Sequence, residues 1–85
     1  MSDLHETLFG VLEGNFGIPR TEVSPGTKLT ELGLESLARA ELALILRDRL
    51  AVALTDEDVP EDTTVGDVIE LLSTRVAEAG AREAG

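Results

Sequence analysis

The chain has 85 residues, no cysteine, one histidine, 2% aromatic residues and a formal net charge of −10. That length gives one domain, and at roughly 0.1 kcal/mol per residue it holds about 8 kcal/mol of stability, too little scaffold for a deep enclosed active site. The composition excludes a disulfide framework, a cysteine-built zinc site and a histidine cluster, and it argues against base-stacking platforms and against nucleic acid, whose phosphates the charge would repel.

The hydrophobic fraction is 42%, too high for a disordered acidic tail. No apolar run approaches the ~18 residues that span a bilayer. The start, Met1-Ser2-Asp3-Leu4-His5-Glu6, lacks the basic and apolar stretches of a signal peptide. The sequence therefore predicts a soluble, cytoplasmic, free-standing monomer with neither a membrane nor a nucleic-acid partner.

Residues 3–16 read as a first helix, with Leu4, Leu8, Val11, Leu12 and Phe16 at helical spacing. Ser2 or Asp3 is its expected cap, and Gly14, Gly17 and Pro19 mark its end. Residues 17–35 read as a long loop broken by Gly17, Pro19, Ser24, Pro25 and Gly26. A loop of that length must be pinned, and Ile18, Val23, Leu29 and Leu32 are the expected pins.

Residues 36–50 read as a second helix. Leu42, Ala43, Leu46 and Leu50 form a core face, and Leu37, Ala40, Glu41, Leu44 and Asp48 form a second, partly apolar face. That second face is a candidate partner surface. Thr55-Asp56-Glu57-Asp58-Val59 reads as a short helical turn capped by Thr55 and limited by Pro60. Thr63 or Thr64 then caps a last helix through about Ala77, with Val65, Val68, Ile69, Leu72 and Val76 on its apolar positions. Residues 78–85 read as a frayed tail. The expected fold is all-α: a bundle of three long helices and one short one. Between Ala51 and Glu70 there are seven acids and no base, so one stretch carries most of the negative field. Such a run is a solvated surface or a docking surface for basic partners.

Ser36 stands between the turn at Gly33 and the second helix. Position alone makes it a helix cap. A nucleophilic serine needs a base within reach, and the lone His5 lies in the first turn of another helix. No catalytic and no metal-ligating residue is assigned. A serine that cannot activate itself can still be a substrate: exposed at a helix start it could receive a phosphate-linked group, whose charge the helix dipole and free N–H groups tolerate.

Leu32-Gly33-Leu34-Glu35-Ser36-Leu37, followed by Glu41-Leu42, resembles the prosthetic-group motif of acyl carrier proteins. Leu54-Thr55-Asp56-Glu57-Asp58 and Thr63-Thr64-Val65-Gly66-Asp67 resemble the third helix and the start of the fourth in the same family. The likeness runs from Leu4 to about Leu72. It implies a four-helix bundle, with residues 1–77 as carrier domain. It implies a 4′-phosphopantetheine arm on Ser36, attached from coenzyme A by a magnesium-using phosphopantetheinyl transferase. Acyl groups would ride on the arm's thiol, and Glu35 flanks the attachment site. The second helix would be the recognition surface for acyl-loading and acyl-processing enzymes, through Leu37, Ala40, Glu41, Leu44, Arg47 and Asp48.

Three positions differ from the family's usual pattern. Glu35 replaces aspartate; Arg39, Arg47 and Arg49 nearly neutralise a helix that is usually acidic; Asp62 stands where an apolar residue often lines the acyl pocket. Arg39, Arg47 and Arg49 are expected to interrupt the exposed partner surface and so to direct partner choice; the alternative is a local role, with Arg39 and Arg49 along the core edge, stems packed and heads solvated, and Arg47 in exposed pairs with nearby acids. The leading expectation is a discrete acyl carrier protein, itself no enzyme, of fatty acid, polyketide or related biosynthesis. The alternative is a peptidyl or aminoacyl carrier protein. A reading from another class is a helical adaptor that uses the Leu37–Leu44 face and is never modified.

Overall fold

The computed structural model describes residues 4–84. The expected caps Ser2 and Asp3 lie outside the described residues. In chain order the elements are α1 (Leu4–Phe16), 3₁₀ turns at Arg20–Glu22 and Leu29–Leu32, α2 (Ser36–Leu50), a 3₁₀ turn at Asp56–Asp58 and α3 (Val65–Ala84). The fold is all-α as expected, and its short extra helix is the turn at Asp56–Asp58. No described helix is long and apolar enough to cross a membrane.

The apolar spacing of each helix decides what it buries. Leu8, Val11 and Leu12 of α1 meet Leu42, Ala43 and Leu46 of α2 and Val65, Val68 and Leu72 of α3 in one core. α1 contacts both other helices, and α2 also packs on the Asp56–Asp58 turn. α1 ends at Gly17, in the left-handed conformation at φ 67°. The Ile18 N–H then reaches back to the Leu12 carbonyl at 3.0 Å and the Gly17 N–H to Glu13 at 3.2 Å, so these two carbonyls are satisfied at the helix end. Arg20 returns to α1, placing both guanidinium NH groups on the Glu6 carboxylate and stacking 5.1 Å over the Phe9 ring.

The loop over residues 17–35 is pinned as expected, with Ile18 and Leu29 buried and Val23 and Leu32 half-buried. Leu34, absent from the expected pins, is buried as well. The stronger anchors are backbone hydrogen bonds to the start of α3. Leu29 N–H donates to the Thr63 carbonyl at 2.9 Å, Val65 N–H to Thr27 at 2.9 Å, and Gly66 N–H to Pro25 at 2.8 Å. Lys28 and Thr64 form an isolated antiparallel bridge between them. Of the two threonines expected to cap α3, Thr64 does so: its Oγ1 accepts from Asp67 N–H, and its own N–H donates to the Asp67 carboxylate, both at 3.1 Å. Thr55 N–H likewise donates to Asp58 Oδ2 at 3.0 Å.

α3 runs past its expected end at Ala77 to Ala84. The added stretch, Glu78-Ala79-Gly80-Ala81-Arg82-Glu83-Ala84, is rich in Ala, Glu and Arg, which favour helix, and one glycine costs only about 1 kcal/mol. Ala79 packs against the core margin, which a helix ending at Ala77 would forgo.

Two backbone positions give opposite predictions. Ala51 closes α2 in the left-handed region, at φ 54° and ψ 48°. That conformation costs a non-glycine residue roughly 1–2 kcal/mol. Ala51→Gly should therefore raise stability in denaturant titrations, by about 0.5–1 kcal/mol after the added freedom of the unfolded chain is subtracted. Gly66 faces the reverse constraint: a Cβ there would lie 3.0 Å from the Pro25 carbonyl oxygen. Gly66→Ala should lower stability, although alanine gains about 1 kcal/mol in helix propensity.

Candidate functional site

Ser36 is held at the surface by the turn before it. The Leu29–Leu32 turn ends at Gly33, whose φ of 84° lies in the left-handed region that glycine adopts without cost. The Leu34 N–H then bonds back to the Leu29 carbonyl at 3.1 Å. The reversal sends Leu34 into the core and leaves Glu35, Ser36 and Leu37 exposed. Glu35 is extended at φ −84° and ψ −176°, and its side chain makes no capping hydrogen bond. The first turn of α2 contains no acid. The N–H groups at this helix start are therefore without a carboxylate competitor, and the dipole there favours an anion.

The arm fits this site. An exposed serine hydroxyl opens a fifteen-residue helix whose first N–H groups lack a side-chain cap. A phosphodiester on that hydroxyl would meet a helix start whose dipole favours its charge.

The expected partner residues fall in two sets. Leu37, Glu41, Leu44 and Asp48 recur along one exposed stripe of α2. Leu37 is 74% exposed and Leu44 48%, the large apolar side chains most open to solvent. Ala40, Leu44 and Arg47 turn toward the Asp56–Asp58 turn and, with Ala43, Leu54, Thr55 and Asp56, line an open groove of about 230 Å³. Arg47 donates to Asp48 Oδ1 through Nε at 3.2 Å and Nη2 at 3.1 Å. Glu41 and Asp48 do not line the groove. Asp62 is exposed and does not line it either.

Arg39 corrects the expectation that it adds charge to the exposed surface. Its side chain is part-buried, with Nη1 donating to the Leu34 carbonyl at 2.9 Å and Nε to the Val59 carbonyl at 3.1 Å. Arg75, to which the sequence assigned no role, does similar work from α3. Its Nε donates to the Ala53 carbonyl and its Nη2 to Asp58 Oδ1, both at 3.1 Å. Leu54, Thr55 and Asp56 have no place on the partner surface expected from the sequence, although they line the groove and lie in the stretch that resembles the family's third helix. His5 belongs to the surface of α1, edge-on to Phe9 with ring centres 6.1 Å apart.

A family described as "Phosphopantetheine attachment site" matches residues 6–72, most of the chain. The fold is similar to that of an acyl carrier protein from Thermotoga maritima in its crystal structure, with a TM-score of 0.77, 21% sequence identity and 89% of each chain covered.

The orientation of α2 can be checked by stability alone. Leu46 is fully buried, so Leu46→Ala should cost about 2–5 kcal/mol. Leu44→Ala, on the open side, should stay within about 0.5 kcal/mol of wild type. Urea titrations of both variants measure the difference.

Proposed function

Because the chain belongs to the family of phosphopantetheine attachment sites, we propose that Ser36 receives the 4′-phosphopantetheine arm and that the protein is an acyl carrier protein. On this reading it is a substrate of other enzymes: a phosphopantetheinyl transferase that loads the arm, then the enzymes that charge and process its cargo. The arm supplies the thiol that holds an acyl group as a thioester. The chain has no cysteine of its own to compete for that group.

The observation that carries the reading is the geometry of Ser36, exposed after the left-handed Gly33 turn at an uncapped helix start. Each part has a physical role. Gly33 and Leu34 fix the approach, the exposed hydroxyl offers the oxygen, and the helix N-terminus favours the negative charge that arrives with the arm. Glu35 flanks the attachment site with an exposed carboxylate. Leu37, Ala40, Glu41, Leu44, Arg47 and Asp48 are proposed as the surface partner enzymes meet. Fatty acid and polyketide pathways both fit a cargo on this arm. A peptidyl or aminoacyl carrier is a second reading. It is favoured by the mixed charge of α2, where the exposed Arg47 and Arg49 accompany Glu41 and Asp48.

Intact mass spectrometry after incubation with coenzyme A, magnesium and a phosphopantetheinyl transferase tests attachment. Wild type should gain about 340 Da, the mass of the phosphopantetheine remainder. Ser36→Ala should gain nothing and remain folded, because Ser36 is exposed and the helix start has no side-chain cap to lose, so the change should stay within about 0.5 kcal/mol. An unmodified wild type would sink the carrier reading, and a modified Ala variant would move the site. The arm's phosphate should also raise the melting temperature of the modified form, since an anion at a helix N-terminus contributes about 0.3–1 kcal/mol. Loading with activated fatty acids against activated amino acids separates the two carrier readings.

A further inference from the structure

We propose that Arg39 is a positioning residue for the attachment reaction: it holds the turn that presents Ser36 in the shape a transferase must meet. The inference rests on Ser36 being the attachment site. Arg39 lies one turn into α2, and its side chain bridges two backbone carbonyls from different parts of the chain. Nη1 takes Leu34, two residues before Ser36, at 2.9 Å, and Nε takes Val59, next after the Asp56–Asp58 turn, at 3.1 Å. Leu34 and Val59 are both buried, at 2% and 1% exposure.

The turn has few other ties on the Ser36 side. Glu35 supplies no side-chain cap, and no acid in the first turn of α2 can reach back to it. Before Leu34 the chain is fixed by the bonds of Gly33 and Leu34 to the Leu29–Leu32 turn. After Leu34 the Arg39 N–H holds the Glu35 carbonyl at 2.8 Å, a backbone bond that any residue at 39 keeps, while the Arg39 guanidinium adds the side-chain tie that refers the Ser36 turn to the segment around Val59. That segment is anchored in turn by Arg75, through Ala53 and Asp58. A planar guanidinium with fixed donor directions suits a bridge between two carbonyls, and an ammonium does not reproduce it.

Without the bridge, the turn samples shapes that do not present the serine. A partner that binds only the competent shape then sees its apparent affinity fall by the competent fraction, while turnover in the bound complex is unchanged. This separates positioning from general support of the fold. A core defect lowers global stability but leaves the native turn intact in every folded molecule.

The test is steady-state transfer from coenzyme A by a phosphopantetheinyl transferase to four proteins: wild type, Arg39→Met, Arg39→Lys and Val68→Ala. Arg39→Met keeps an apolar stem and removes both donors. If it reduces the competent fraction to about a tenth, its KM should rise about tenfold at unchanged kcat. Arg39→Lys should fall between Met and wild type. Val68→Ala, weakened through the core, should keep the wild-type KM. Amide hydrogen exchange at Gly33 and Leu34, whose N–H groups bond to the Thr30 and Leu29 carbonyls, should quicken in Arg39→Met relative to Val68→Ala. A wild-type KM in Arg39→Met, or an equal rise in Val68→Ala, overturns the inference while leaving Ser36 as the attachment site. A wild type that takes no arm overturns both. If Arg39→Met fails to fold, Arg39→Lys decides by the same KM criterion.

Discussion

The structure depends on the pairing of the Pro25–Leu29 strap with the start of α3. A helix start leaves backbone N–H groups without intrahelical partners, and burying them unpaired is costly. Here the carbonyls of Thr27 and Pro25 accept from Val65 and Gly66. The same bonds immobilise a loop that has almost no regular structure. Once the strap is fixed, Leu29 is set into the core and the Leu29–Leu32 turn follows. Gly33 can then reverse the chain and bury Leu34, and Ser36 emerges at the surface with α2 behind it. The exposed position of one serine thus traces to three backbone bonds on the opposite side of a long loop.

Two arginines extend this logic to the segment after α2. In so small a bundle there is little core left to hold residues 51–64, although Val52, Leu54 and Val59 are buried. Arg39 from α2 and Arg75 from α3 grip the segment from two helices by its carbonyls and by Asp58. Hydrogen bonds from a charged donor contribute roughly 1.5–3 kcal/mol, more than neutral ones. The ion pair of Arg75 with Asp58 is partly shielded, at 28% and 26% side-chain exposure, so salt screens it less than a fully open pair. The groove beside Leu54 and Thr55 is therefore bounded on one side by a regular helix and on the other by a short turn held through side chains.

What the sequence made legible follows from what periodicity encodes. The bounds of α1 and α2 come from apolar spacing together with the breakers around them, Gly14, Gly17, Pro19 and Gly33, and the core face through Leu42, Ala43 and Leu46 comes from apolar spacing. Thr64 with Asp67 and Thr55 with Asp58 are local pairs three residues apart, so their capping roles were also readable. The role proposed for Ser36 rests on the resemblance, since position alone makes a serine at a helix start a cap. The strap was not legible, because backbone pairing between Leu29 and Thr63 leaves no side-chain pattern. Arg39 was misread for a related reason: a charged residue on a helix is ordinarily solvated, and nothing local reveals two buried-residue carbonyls waiting for it. α3 continues past Ala77 because the six helix-favouring residues around Gly80 outweigh its cost of about 1 kcal/mol.

The same distinction organises the charge. Of the seven acids between Ala51 and Glu70, Asp58 and Asp67 are engaged in caps, and Asp58 also in an ion pair. Asp56, Glu57, Glu61, Asp62 and Glu70 are exposed, and of these Asp56 lines the groove. On the other flank, Arg47 pairs with Asp48 while both stay open to water, at 48% and 67% side-chain exposure. Exposed pairs of that kind contribute about 0–1 kcal/mol, so breaking this one costs little. The α2 flank can then offer either charge to an approaching surface at small expense. Arg39, whose charge is tied into the backbone, cannot. Reading partner preference from the count of arginines on α2 would therefore overstate it: the charges that can respond to a partner are those of Glu41, Arg47, Asp48 and Arg49, and Arg39 acts on recognition only through the shape of the turn before Ser36.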